Sequence, residues 1–193
     1  MSTISRKEKT KVLVLSAVLT ALVVVLQLLG SFIKLGPFSI SLVLIPIVLG
    51  AATCGKGVGA WLGLTFGVTV LLSGDAAAFM SISVIGTIVT VLAKGLLCGF
   101  AAGVTYRIFA KKNQYIAVLL AAFVCPVVNT GVFLLGCVCF FLKTISEWGA
   151  AEGFSNVIGY MFLGLAGGNF LFELATNLIL SPTILRVINY KDK

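Results

Sequence analysis

The sequence predicts an all-α integral membrane protein: a single transmembrane domain over residues 1–193, built as a bundle of six helices with both termini on the cytoplasmic side. Three observations carry that prediction. Of the 193 residues, 60% are hydrophobic and 10% charged, with a mean hydropathy of +1.16, whereas a soluble domain carries roughly 25% charged residues. Most of the chain lies in apolar stretches near or above the roughly 20 residues that cross a ~30 Å hydrocarbon core as helix. The basic residues divide unequally between the loops that separate those stretches.

Helices are expected at about 10–34, 39–54, 57–73, 80–110, 115–142 and 157–188. The first apolar run, Val12 to Leu29, is too long for the core of a cleavable signal and lacks a small-residue cleavage site, so it reads as the first span. Gly36-Pro37 interrupts the chain after it, and Gly55-Lys56-Gly57 makes a tight turn between the second and third helices. Ser73-Gly74-Asp75 closes the third helix, and Lys111-Lys112-Asn113 separates the fourth from the fifth. The longest polar stretch, Thr144 to Asn156 with Glu147, Trp148 and Glu152, reads as the loop before the last helix. The second and third helices are short enough to form a shallow or re-entrant pair, which would leave five full spans.

Counting basic residues by side orients the bundle. One face receives Arg6, Lys7, Lys9, Lys11, Lys56, Arg107, Lys111, Lys112, Arg186, Lys191 and Lys193; the other receives Lys34 and Lys143. The positive-inside rule then places both termini in the cytoplasm of a multi-pass cell-membrane protein. Trp148 and Tyr160 fall near the outer interface, and Tyr106, Tyr115 and Tyr190 near the inner one, as an aromatic belt would. The net charge of +8 is therefore a topology signal, and the expected partner is the lipid bilayer, with no nucleic acid. Cys54, Cys98, Cys125, Cys137 and Cys139 lie in or at the edge of apolar segments and read as small packing residues. There is no histidine, so neither a metal nor a cofactor is expected. A GxxxxGK[ST] nucleotide loop is missing as well, which argues against ATP hydrolysis by this chain.

Once the loops are set aside, Lys94 and Glu173 are the ionisable side chains left deep in apolar helices. A charge at the bilayer centre costs about 2.5–3.5 kcal/mol on insertion scales, so both should face the bundle interior. The last helix carries Asn169, Glu173 and Asn177 at i, i+4 and i+8, a polar stripe on one face. The fifth adds Asn129 and Thr130 at similar depth, directly after Cys125-Pro126. Two readings stand side by side. Lys94 and Glu173 pair and the asparagines complete a network that binds the helices together, or these groups form a buried site for a small polar molecule. Polar contacts between membrane helices contribute only about 0.6 kcal/mol on average, which favours the site over the glue. Small residues also recur at helical spacing: Ala17 and Ala21 in the first helix, Gly59, Gly63 and Gly67 in the third, Gly95, Gly99 and Gly103 in the fourth. They are expected to let helices approach closely, and on the first helix they offer a docking face for another membrane protein.

Several segments carry a resemblance: the basic N-terminus and KVLVLSAVLTAL of the first helix, LGPFSISLVLIPIVLGAATCGKGVGAWLGLTFGV, AKGLLCGFAAGVTY, CPVVNTGVFLLG, and the closing helix with Asn169 and Glu173. Together they resemble a substrate-binding S component of an energy-coupling factor (ECF) vitamin transporter. The resemblance covers nearly the whole chain. It implies six helices holding a vitamin or precursor near the extracellular side, within the first and fifth loops and helices four to six. Lys94, Asn129, Thr130, Asn169, Glu173 and Asn177 would then be the substrate-binding residues. The implied partners are a transmembrane T component, docked on Ala17 and Ala21, and two cytoplasmic ATPase subunits, with toppling of the S component to release substrate inward.

Around Ile40 to Gly50 the chain looks more like pantothenate-type S components than riboflavin-type ones, which makes pantothenate the first choice and riboflavin or another vitamin the alternative. Lys94 stands where relatives often carry arginine and can pair with a carboxylate, while Asn129 and Glu173 can bond hydroxyl and amide groups. Two other classes compete: a solitary proton-coupled carrier using Glu173, and an intramembrane enzyme using Lys94 or Glu173. The missing histidine and the lack of a serine or aspartate motif argue against an enzyme.

Overall fold

The computed structural model describes residues 6–32, 34–35, 38–39 and 42–191. Its elements are α1 (Arg6–Gly30), a small hairpin of β1 (Lys34–Leu35) and β2 (Phe38–Ser39), α2 (Leu44–Cys54), α3 (Lys56–Ser73), α4 (Ala77–Met80), α5 (Val84–Phe109), α6 (Gln114–Gly136), α7 (Leu142–Ala151), α8 (Val157–Gly159) and α9 (Gly167–Lys191). The hairpin strands pair antiparallel, Lys34 with Ser39 and Leu35 with Phe38. A π-helical turn over Cys137–Phe141 fuses α6 to α7, and another over Tyr160–Leu165 joins α8 towards α9.

Among the described residues five helices are long and apolar enough to cross a membrane: Arg6–Gly30, Lys56–Ser73, Val84–Phe109, Gln114–Ala151 and Gly167–Asn189. The sixth apolar helix, α2, has 11 residues, a rise of about 16 Å, or half a hydrocarbon core. Expected over 39–54, it begins at Leu44, with Pro46 in its first turn, where the missing N–H removes no helical bond. Among the described residues, then, five helices span by length and α2 is a shorter apolar one.

The expected polar loop over 144–156 is corrected. The π turn carries the helix of α6 onward, so the chain stays helical through Ala151. The segment is amphipathic, with Ile145 and Gly149 buried one turn apart and Lys143 and Glu147 outside. Its charges mark a wet helix face, not a break. The single last helix expected over 157–188 is likewise divided by the second π turn, and its long part begins at Gly167. Turn residues do what their chemistry allows. Gly55 and Gly74 take φ of 96° and 83°, conformations an L side chain resists, and so separate α2 from α3 and end α3. Ser83 and Asn113 accept from Gly86 N at 3.2 Å and Ile116 N at 3.1 Å to cap α5 and α6.

The tightest packing runs between α3 and α5, where glycine faces glycine. A Cβ placed on Gly63 would meet the Gly95 carbonyl oxygen and one on Gly95 the Gly63 oxygen; Gly59 and Gly99 stand in the same reciprocal relation. Gly67 rests on the Val91 carbonyl, and Gly103 on the Lys56 backbone. Two backbones therefore touch along most of their length, as small-residue seams allow.

α2 fills the centre of the half nearest the start of α1, touching α1, α3, α5, α6 and α9. Leu44, Ile47 and Val48 are buried there against Leu62, Cys98, Ala121, Cys125 and Ile184. The opposite half holds a second cluster, with Phe79, Phe141, Ile145, Tyr160 and Leu165 at its core. Phe79 makes edge-on contacts with Phe133, Phe141 and Trp148 at centroid distances of 5.6, 5.1 and 5.7 Å.

Gly95→Val should destabilise the bundle by about 1–3 kcal/mol, since the obstructing atom is backbone and cannot turn aside. Gly131→Ala, where a Cβ meets nothing within 4 Å, should leave stability unchanged or raise it by about 0.5–1 kcal/mol. Melting temperatures of the two variants in detergent check the contrast.

Candidate functional site

Because α2 occupies only one half of the bundle, the other half is not filled by a central helix. Between the two apolar clusters the long helices enclose a cavity of about 70 Å³, several times the roughly 10–15 Å³ that one water occupies by this measure. α1 contributes Gln27 to its wall, α3 Phe66, α5 Thr87, Thr90 and Lys94, α6 Phe133, and α9 Asn169 and Glu173. Asp75, from the turn after α3, lines it together with Phe79 and Phe141. A smaller chamber of about 30 Å³ adjoins it, lined by Asn129, Thr130 and Leu165 and sharing Lys94, Phe133 and Asn169 with the first. The shared side chains stand between the two spaces.

Glu173 is 2% exposed. Its two oxygens accept from Asn169 Nδ2 at 3.1 Å and Asn129 Nδ2 at 3.4 Å, so amides from two helices fix the carboxylate. Each amide spends its N–H on Glu173 and leaves its Oδ1 buried without a hydrogen-bond partner, as is Thr90 Oγ1. Lys94 is not bonded to Glu173: among the described residues no ion pair within 4.0 Å joins them. Its Nζ lies instead over the rings of Phe66 and Phe133. The direct pair that one of the two sequence readings called for is therefore replaced by two opposite charges held apart around one space.

Of the six expected site residues, Lys94, Asn129, Thr130, Asn169 and Glu173 come together here. Asn177 does not. It is fully buried one turn deeper, its Nδ2 donates to the Glu173 backbone carbonyl at 2.8 Å, and it lines neither chamber. The i+8 spacing kept it on the stripe but carried it below the cavity floor. Ala17 and Ala21 lie exposed on α1, opposite its buried face of Leu19, Val23 and Gln27. Four further polar residues of the cavity wall, Gln27, Asp75, Thr87 and Thr90, were missed. Gln27 donates to Asp75 Oδ2 at 2.6 Å along the cavity wall, and its signal was a lone amide in an apolar run. Thr87 and Thr90 gave none, because threonine is common on membrane helices as a self-bonded residue, as Thr87 is to the Ser83 carbonyl at 2.8 Å.

Among curated proteins, none matches the sequence. A family model does, over residues 11–185: that of the ECF transporter, substrate-specific component. The chain belongs to that family. As a substrate-specific component it is a multi-pass membrane transport subunit, and the family implies association with a T component, ATPases and a small-molecule substrate.

Asn129→Leu and Asn169→Leu each remove one donor from a buried carboxylate and should each cost about 1–3 kcal/mol. The double variant should cost more than the sum of the two, since only then is the carboxylate bare. Chemical or thermal unfolding in nanodiscs, run as a double-mutant cycle, measures the excess.

Proposed function

We propose that this S component captures a small carboxylate-bearing vitamin precursor in the cavity between α5, α6 and α9, with pantothenate the first choice. The observation that carries the reading is the set of unsatisfied groups around the two adjoining chambers: three buried acceptor oxygens, on Thr90, Asn129 and Asn169, and the Lys94 ammonium. A buried acceptor without a partner costs about 1–3 kcal/mol, so a ligand supplying donors recovers that cost on binding. Pantothenate offers two hydroxyls and an amide N–H for the oxygens and one carboxylate for the ammonium. Riboflavin lacks a carboxylate and leaves the ammonium unmatched. Lys94 engages the carboxylate as a point charge, and Glu173, already bonded by two amides, orients the acceptors that read the hydroxyls.

In the same reading both termini are cytoplasmic, by the distribution of basic residues, and the cavity mouth at Gln27 and Asp75 opens outward. The exposed Ala17 and Ala21 face of α1 docks the T component, which couples the chain to two ATPase subunits. Substrate site and docking face thus occupy opposite sides of α1.

Lys94→Ala should weaken pantothenate binding about 100-fold or more, as loss of a buried charge partner does, and Thr90→Val about fivefold. Both should leave assembly with the T component and ATPases intact. Ala17→Trp should do the reverse. Calorimetry on the purified chain and pull-down of the complex separate the two effects, and mass spectrometry of ligand retained through purification names the substrate directly. Uptake by the isolated chain driven by a pH gradient would replace this reading with a proton-coupled carrier.

A further inference from the structure

Among the described residues, the close contacts of the Lys94 ammonium are ring faces. Its Nζ lies 5.4 Å from the ring centroid of Phe66 on α3 and 5.6 Å from that of Phe133 on α6. Both distances fall within the roughly 6 Å over which the negative face of an aromatic ring attracts a cation. Phe66 is itself 3% exposed, and both rings line the cavity. Of the two carboxylates that line the cavity with Lys94, Asp75 accepts from Gln27, and Glu173 is engaged by Asn169 and Asn129. The two charges are thus held by separate devices, rings for the cation and amides for the anion.

The difference matters for a site that must take up an anion. A carboxylate touching Lys94 would neutralise it, and an incoming ligand would have to displace that carboxylate and leave it buried and unpaired. A ring face stabilises the ammonium without cancelling its charge and presents no acceptor to be displaced. Two faces on different helices also fix the end of a flexible side chain, whose ordering would otherwise be charged to ligand binding. Resting on the reading that the cavity takes a carboxylate ligand, the geometry points to Phe66 and Phe133 as positioning residues that hold the Lys94 ammonium charged and unpaired for the ligand's carboxylate. They decide specificity for an acid over its neutral isostere without touching the carboxylate themselves.

The test uses the full chain in nanodiscs with two probes, pantothenate and its neutral carboxamide. Phe133, then Phe66, is replaced by mono-, di- and trifluorinated phenylalanine, which keep the ring's shape while draining its negative face. Affinity for the acid should fall stepwise with fluorine content, to roughly tenfold weaker at the end of the series, while affinity for the carboxamide stays constant. A flat or rising affinity for the acid, with tight binding by the unmodified chain, overturns the clamp and leaves the substrate reading standing. Equal losses for acid and carboxamide also overturn it, because the rings would then only pack against the ligand. Binding of neither probe by the unmodified chain overturns the substrate reading and the clamp with it.

Discussion

The glycine seam between α3 and α5 is the contact on which the rest of the bundle depends. In a bilayer there is no hydrophobic force between helices, since lipid is as apolar as leucine, and association rests on close packing and polar contacts. Gly59, Gly63 and Gly67 let α3 lie backbone to backbone against Gly95 and Gly99 of α5. That approach sets the neighbours of the seam as well. Phe66 precedes Gly67 and Lys94 precedes Gly95, so the same register that joins the glycines brings the Lys94 ammonium to the face of the Phe66 ring. Packing and site share one line of residues.

The cavity exists because α2 is short. Eleven residues fill one half of the bundle with Leu44, Ile47 and Val48 and stop, and the helices around them continue. A spanning helix in that place would have filled the space with side chains. The short helix acts as a floor on the basic side, and the aromatic cluster around Phe79 as a wall on the other. Between them, polar groups that would be prohibitive against lipid are tolerable, because they face one another and an enclosed space. Among them, the side-chain oxygens of Thr90, Asn129 and Asn169 remain without a hydrogen-bond partner.

α1 separates two tasks by its period. Leu19, Val23 and Gln27 lie on its buried face at spacings of four, the last reaching Asp75 on the cavity wall, while Ala17 and Ala21 fall on the exposed face. One helix therefore borders the cavity on one side and carries a small-residue surface on the other.

The sequence by itself determined the solvent, the class and most of the helices, because hydropathy over 18 or more residues is a local property that no tertiary contact reverses. It also singled out Lys94, Asn129, Asn169 and Glu173, since a charge or amide in an apolar helix is conspicuous without knowing what it touches. Only the tertiary structure decided what those groups do to one another. That Lys94 meets Phe66 and Phe133 rather than Glu173, and that Asn177 lies below the floor, depends on rotations and depths set by the α3–α5 seam and by where α2 ends. The continuation of α6 to Ala151 was hidden for a related reason. Lys143 and Glu147 signal water, and both a loop and the wet face of an amphipathic helix satisfy that signal until Ile145 and Gly149 are seen buried against Tyr160.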